Sequence, residues 1–449
     1  MISGDIDLTK GGLWKNLFVF SLPLVFSNVL QVLFNMSDIA VVGRFAGQIA
    51  LGSVGSTALL VAVFTWFLSG IGHGVNSLAA RFLGADSKND VSTSVHTSFV
   101  ISLALGIVMA LSGELFARGL LELLGTKSEL IEGAELYLRI YYLGLPAVAL
   151  YNFGSGVFSA AGNTRKPLVF LSSAGVINVL LNLFFVIVCD WDVAGVATAT
   201  VISQYISAFL VITALFRSRG ACALRLSEMK VSRDKLKLVL SLGIPAGLQN
   251  AVFGIANLFI QAAVNSFDHV MVEGNSAAAN ADSLIYDVMG AFYVGCSSFI
   301  AQNYGAGSKK RVLQSYFAGL AYSFAAGALL GGALLIFGRQ FMSIFATDPG
   351  VIDAGLKRIG IMGFSYCVSA FMDCSIAASR GLGRTAIPTV FVIIGSCVFR
   401  VAWVYTVFAH YRTIPSLYLL YIFSWSLTAL LEIIYFAHVY KTTFSERKS

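Results

Sequence analysis

Asp38 is the residue whose chemistry most needs explaining. It stands in an apolar run, FNMSDIAVVG, fifteen residues after Pro23, about 22 Å along a helix at ~1.5 Å per residue. A carboxylate inside hydrocarbon costs about 2.5–3.5 kcal/mol on insertion scales, so one found there has work to do. It can take up a proton, or a metal ion can offset its charge. Gln31 lies two helical turns before it on the same face, with Asn35 between them. Farther on, Asn178 and Asn182 are four apart and share a helix face, and Thr198 and Thr200 follow in the next apolar run. A carboxylate, two amide carbonyls and a hydroxyl form an all-oxygen set, the kind that a hard cation such as Na⁺ accepts. Spacing alone does not bring them together.

The second half of the chain has its own set. Asp282 and Asp287 share one apolar run, Asp373 lies in another and Arg400 in a third. Asp373 falls 221 residues after Asn152, so polar groups at matched places suggest a central cavity, lined by Gln31, Asn35, Asn152, Asp282 and Arg400. An arginine in hydrocarbon calls for an acidic partner, and Asp373 or Asp287 is the expectation. Asp282 is expected near the outer interface, where it costs little. Glu432 lies toward the cytoplasmic end of the last run and is expected to snorkel to the headgroups. His73 reads as a packed histidine. The Gly70-x-Gly72-x-Gly74 run follows no strand and is no phosphate loop, and there is no HExxH and no nucleophile elbow. ATP-driven transport and hydrolysis therefore lack support, and no cofactor is expected.

The elements that must hold these residues are membrane helices. Of 449 residues 57% are hydrophobic and 12% charged, with mean hydropathy +0.80, against ~25% charged in a soluble protein. The apolar runs are mostly about 20 residues or longer, as a ~30 Å hydrocarbon layer requires, and they lack the ~10-residue alternation of a β-barrel. Spans are expected near 14–43, 49–80, 92–113, 136–160, 167–189, 193–216, 238–266, 277–302, 312–338, 354–379, 386–409 and 415–440. Met1 to Lys10 is polar and the run after it is too long for a cleavable signal, so the first span should stay in place. With the N-terminus cytoplasmic, and charges near span ends counted with the adjoining loop, 21 Lys and Arg fall inside and seven outside, with Arg139 and Arg400 set apart as lying at or inside spans. That asymmetry predicts a multi-pass inner-membrane protein with both termini in the cytoplasm. The net charge of +7 belongs to this pattern and not to nucleic-acid binding; the basic stretch from Arg217 to Lys237 reads as a linker touching anionic headgroups. Six cysteines without CxxC spacing read as packing residues, with no disulfide and no metal site.

The chain also repeats itself. Pro23-x4-Asn28-x6-Asn35 matches Pro245-x4-Asn250-x6-Asn257. The stretch GVNSLAARFLGADSKNDV (74–91) matches GCSSFIAQNYGAGSKKRV (295–312). Gly162-x-Thr164-x2-Pro167 matches Gly383-x-Thr385-x2-Pro388. The expected plan is an N-terminal lobe over 1–216 with spans 1–6, a linker over 217–237, and a C-terminal lobe over 238–449 with spans 7–12. An even number of spans per half makes the repeats parallel, an arrangement that favours transport between two rocking halves. Pro23 and Pro245 each remove a helical hydrogen bond inside a span and are hinge candidates.

These residues resemble the multidrug and toxic compound extrusion (MATE) family over about 10–440. The likeness rests on Pro23 with Asp38 fifteen later, the GRF after the first span, GxNTRxP at 162–167 with its GxGRTAIP counterpart, and N-x3-N followed by GVATAT over 178–200. It implies an all-α membrane protein of two pseudo-symmetric six-helix bundles, and export of small cationic or amphipathic molecules in exchange for H⁺ or Na⁺. In branches similar to DinF it implies that Asp38 couples transport with Asn178, Asn182 and Thr200, Na⁺ being held at Asp38, Asn178 and Thr200 if at all. The sequence departs from the family at 182, where the usual Asp is Asn, which removes one charge and weakens cation binding. In the NorM-like branch a span-seven Glu and a span-ten Asp serve the second lobe. Asp373 resembles the latter, while Asp287 is the substitute available for the former. The expected partners are a small-molecule substrate and the bilayer, around a monomer. A lipid-linked precursor flippase of the same superfamily and a membrane enzyme are the alternatives, the first disfavoured by Arg400 standing alone in the membrane and the second by scattered acids.

Overall fold

The computed structural model describes residues 6–446, so Arg447 and Lys448 of the cytoplasmic charge count, and the first five residues of the polar N-terminus, lie outside the described residues. Every described regular element is helical, which is how a chain satisfies its backbone where water is absent. In order they are α1 (Leu13–Val41), α2 (Gly47–Gly84), α3 (Lys88–Leu123), α4 (Ser128–Tyr142), α5 (Leu145–Ala160), α6 (Arg165–Val188), α7 (Asp192–Phe216), α8 (Arg233–Val264), α9 (His269–Gly305), α10 (Lys309–Met342), α11 (Pro349–Gly381), α12 (Ala386–Tyr411) and α13 (Ile414–Glu446). Local chemistry sets several boundaries. The Asp268 carboxylate accepts from the Met271 N–H at 2.8 Å and opens α9, and Asp348 accepts from the Gly350 N–H at 2.6 Å beside Pro349, the first residue of α11. Both are N-caps of the kind worth about 1 kcal/mol.

Residues 13–84 form one continuous run of 72, which would be about 108 Å if straight and cannot cross once. It is broken by a widened turn over Val42–Ala46 and by Gly47 at φ +86°, a conformation that a side chain would strain. Helices α4 and α5 meet at 45°, because Pro146 brings no N–H to the ladder. Ten runs are long and apolar enough to cross, or eleven with that bent pair; dividing the first run at Gly47 gives the twelve spans expected. The repeat holds in the helix boundaries. Helices α3 and α10 begin at Lys88 and Lys309, α4 and α11 at Ser128 and Pro349, and α6 and α12 at Arg165 and Ala386, each pair 221 apart. The halves differ where Pro146 is matched by Cys367, and there α11 runs unbroken.

The chain divides into two units that share two helices. Among the described residues, one holds Phe26–Ala251 with Ile6 and Asp7, and the other holds Leu8–Val25 with the chain from Val252 onward. The bounds expected at 216 and 238 kept each helix in one lobe, whereas this division passes through α1 just after Pro23 and through α8 six residues after Pro245. The reason is packing. A Cβ on Gly70 of α2 would lie 2.3 Å from the Gly247 nitrogen, so α2 and the first half of α8 touch backbone to backbone, as small residues allow in membranes. In the second unit the Arg311 guanidinium donates to the carbonyls of Lys10 and Gly11 at 3.3 and 3.2 Å and holds the approach to α1.

The basic linker is tied down on α3. Lys235 pairs with Asp90 at 2.6 Å, the Arg225 N–H donates to His96 Nε2 at 2.9 Å, and the Ser232 N–H donates to the Thr97 hydroxyl at 3.1 Å. The Ser92 hydroxyl donates to Glu228 at 2.9 Å, and this bond, with Arg225 beside it, holds the Glu228 carboxyl below its ordinary value. All six cysteines are free.

Candidate functional site

In the first unit the structure brings together the residues that spacing could only suggest. Asp38 on α1 accepts from the Asn182 amide through Oδ1 and from the Thr200 hydroxyl, 3.5 Å away, through Oδ2. Asn178 Nδ2 donates to the Thr200 hydroxyl at 3.4 Å, and Asn182 Nδ2 lies 3.4 Å from Asn178 Oδ1. Three helices therefore converge on one carboxylate. Asn182 is 0% exposed, and its Oδ1 meets no donor among the described residues. That leftover acceptor, with Asp38 and the Asn178 carbonyl, supplies oxygens but a single full negative charge. Helix α6 widens into a π-type turn over Phe184–Val188 just past Asn182, the kind of local irregularity that accompanies functional sites. The charge of Asp38 also reaches Tyr137 and Tyr141 of α4, buried residues whose rings stack at 6.0 Å. Sequence reasoning passed over this pair, although its i, i+4 spacing on a helix that begins with charged residues was visible. Gln31 and Asn35 are exposed on α1, and the Asn152 amide is turned back onto the Val148 carbonyl at 2.9 Å.

The second unit is arranged differently from the expectation. Arg400, 2% exposed, pairs with no acid among the described residues. Its Nε donates to the Ser424 hydroxyl at 3.1 Å and a terminal nitrogen to Asn257 Oδ1 at 3.5 Å, while its plane lies 4.7 Å from the Tyr421 ring centre and 5.6 Å from that of Trp425. Neutral donors, acceptors and aromatic faces thus replace the acidic partner, since guanidinium stacks on rings as well as bonding to oxygen. Asp282, half-buried on α9, is held by two donors: Arg358 and the Tyr366 hydroxyl donate to its two oxygens, and Arg358 also donates to Asn275 Oδ1. Arg358 is 6% exposed and Arg380 is buried as well, so two arginines at the ends of the expected span 354–379, counted with its flanking loops, lie inside. Their places at the two ends of α11 hid them from a reading based on run ends. Asp373 is half-buried on α11 and feels the charges of Arg400 and Arg380. Asp287 is half-buried on α9. Glu432, expected to reach the headgroups, is fully buried.

Large apolar side chains are exposed at mid-helix, while Arg358, Arg380, Arg400 and Glu432 of the second unit are buried and Asp38 of the first is half-buried. Fold and site together define a multi-pass membrane transporter of secondary type. The MatE family profile matches twice, over residues 23–184 and 245–406, and the chain belongs to that family. It is 30% identical to the probable multidrug resistance protein YpnP of Bacillus subtilis, with 80% of each chain covered. It is 25% identical to a protein of Shewanella oneidensis named an FAD transporter, with 77% of each covered. A MOP superfamily transporter from Pyrococcus furiosus superposes with a TM-score of 0.92 over 99% of each chain at 20% identity, a likeness of fold. The chain is a membrane transporter and not an enzyme.

Proposed function

We propose that this protein exports small cationic or amphipathic molecules from the cell in exchange for protons, with Asp38 as the coupling group. The observation that carries the proposal is the convergence of Asn182 and Thr200 on the two oxygens of Asp38. A site with one carboxylate and amide neighbours needs only a proton to become neutral, whereas Na⁺ binding would draw on the Asn178 and Asn182 carbonyls without a second charge. Neutralising Asp38 changes what Asn182 and Thr200 bond to, and Pro23 lets α1 bend in response. The protein acts as a monomer in the plasma membrane with both termini cytoplasmic, and its moving lobes are centred on residues 1–216 and 238–449, with the parts of α1 before Phe26 and of α8 up to Ala251 each moving with the other lobe.

Efflux of a fluorescent cation from everted vesicles tests this, with the proton and Na⁺ gradients collapsed separately. Asp38→Asn should abolish gradient-driven efflux, and collapse of the proton gradient alone should stop the wild type. Full efflux by Asp38→Asn would remove Asp38 from the mechanism. A second reading, of an anionic substrate, draws on Arg400, whose charge no acid offsets by direct contact, and on the relative named an FAD transporter. Competition of the efflux by an anionic dye and not a cationic one would favour it.

A further inference from the structure

We propose that Glu432 is a second proton-exchanging carboxyl group of this transporter, working in the second unit with Asp373 and Arg380; the inference rests on the antiport reading for its role, though not for its chemistry. Glu432 lies 18 residues from the start of α13 and 14 from its end, about 27 and 21 Å respectively. It is therefore well inside the apolar layer and not at its edge. Its side chain is 0% exposed, and neither carboxylate oxygen meets a hydrogen-bond donor among the described residues. Asp38 has a donor on each oxygen, and so does Asp282. A buried carboxylate with no donor is in its costliest state, and a proton removes that cost without moving the side chain.

The charged and titratable groups around it say why the proton belongs on Glu432. From α11, Asp373 and Arg380 are close enough for their charges to be felt by Glu432, and on α13 itself Tyr435 senses Glu432 and Arg384. Arg380 is buried, its Nε has no acceptor, and it feels Tyr293 of α9 as well as both acids. Tyr293 in turn faces Asp373, Asp287 and Cys374. Arg380 and Asp373 are seven apart on α11, two turns along one face. Asp373 has both Arg400 and Arg380 to balance it, whereas Glu432 has Arg380 alone. One guanidinium thus serves two carboxyl groups, and with Asp373 ionised Glu432 is left to carry hydrogen. When a cation neutralises Asp373, Arg380 is released to stabilise ionised Glu432, whose proton then passes to water. The proton lost from Glu432 balances the charge gained at Asp373, which ties the two events together.

Infrared difference spectra of the purified full chain, taken as the pH is raised, read this directly. The wild type should show a carboxyl C=O band at the high-frequency end, where hydrogen bonding is absent, that disappears with rising pH. The band should be missing from Glu432→Gln and kept in Asp38→Asn. Its absence from the wild type, or its persistence in Glu432→Gln, overturns the proposal. In vesicles, Glu432→Gln should lower proton-driven efflux about tenfold, as removal of ~1.4 kcal/mol of bias between two states would do; unchanged efflux also overturns it. The infrared band needs no transport. Wild-type vesicles without proton-driven efflux would therefore refute the antiport reading while the spectra judged Glu432 separately, and the wild-type spectrum needs no variant to fold.

Discussion

Replacing Arg358 with Leu should destabilise the second unit through the charge it leaves behind. Arg358 donates to Asp282 and to Asn275 Oδ1 and lies 5.0 Å from the Tyr418 ring centre. After the substitution Asp282 keeps the Tyr366 hydroxyl, and Asn275 keeps the Tyr418 hydroxyl at 2.5 Å. The loss is thus dominated by a carboxylate stranded in an apolar interior, about 3 kcal/mol on insertion scales, at the lower end of the 3–5 kcal/mol found when one partner of a buried pair is removed. Asp282→Asn in the same background should restore most of it, because a neutral amide needs no counter-charge. Equilibrium unfolding in mixed micelles of the wild type, both single variants and the double variant closes the cycle. Single effects that add to the double within about 0.5 kcal/mol would refute the reasoning, since uncoupled residues behave that way.

Asn182→Asp places a second carboxylate beside Asp38 and should make efflux depend on Na⁺; vesicles loaded with and without Na⁺ read the change, and continued indifference to Na⁺ would count against the charge argument. Glu228 has its carboxyl held low in the folded state, so the linker contact it makes is fully present above the ordinary value of 4.5 and is lost as the pH falls through the lower folded value. Hydrogen exchange of residues 226–232 should accordingly accelerate only in that acid window. Gly70→Ala sets a methyl against the Gly247 backbone and should cost about 1–3 kcal/mol, seen as a lower melting temperature in detergent; an unchanged melting curve would mean that α2 and α8 do not meet so closely.

Much of the fold was legible because a membrane reduces folding to apolar runs, charge asymmetry and repeats. The 221-residue offset reappears as matched helix starts at Lys88 and Lys309. The set around Asp38 was legible as a list of oxygens at helical spacing, and what the sequence lacked was the convergence of α1, α6 and α7. Arg358 and Arg380 were missed for a physical reason. Each lies near one end of α11, and an arginine in such a place ordinarily reaches solvent along its stem. Only packing from other helices decides that these two turn inward. Arg400 shows the converse. Hydrocarbon demanded a partner for it, and aromatic rings and hydroxyls, which carry no charge to notice in a sequence, supplied one.

The sharing of α1 and α8 between the two units sets an order on biogenesis. Residues 8–25 belong with a unit whose remaining segments start at residue 252, so they leave the ribosome with nothing yet to pack against. At about 5–20 residues per second, they wait on the order of tens of seconds before their partners exist. Phe26–Ala251, by contrast, is complete once the early part of α8 has been made. A gene cut at the linker would therefore yield one fragment missing the closing stretch of its bundle and another missing its opening one, and only co-expression of both could complete either.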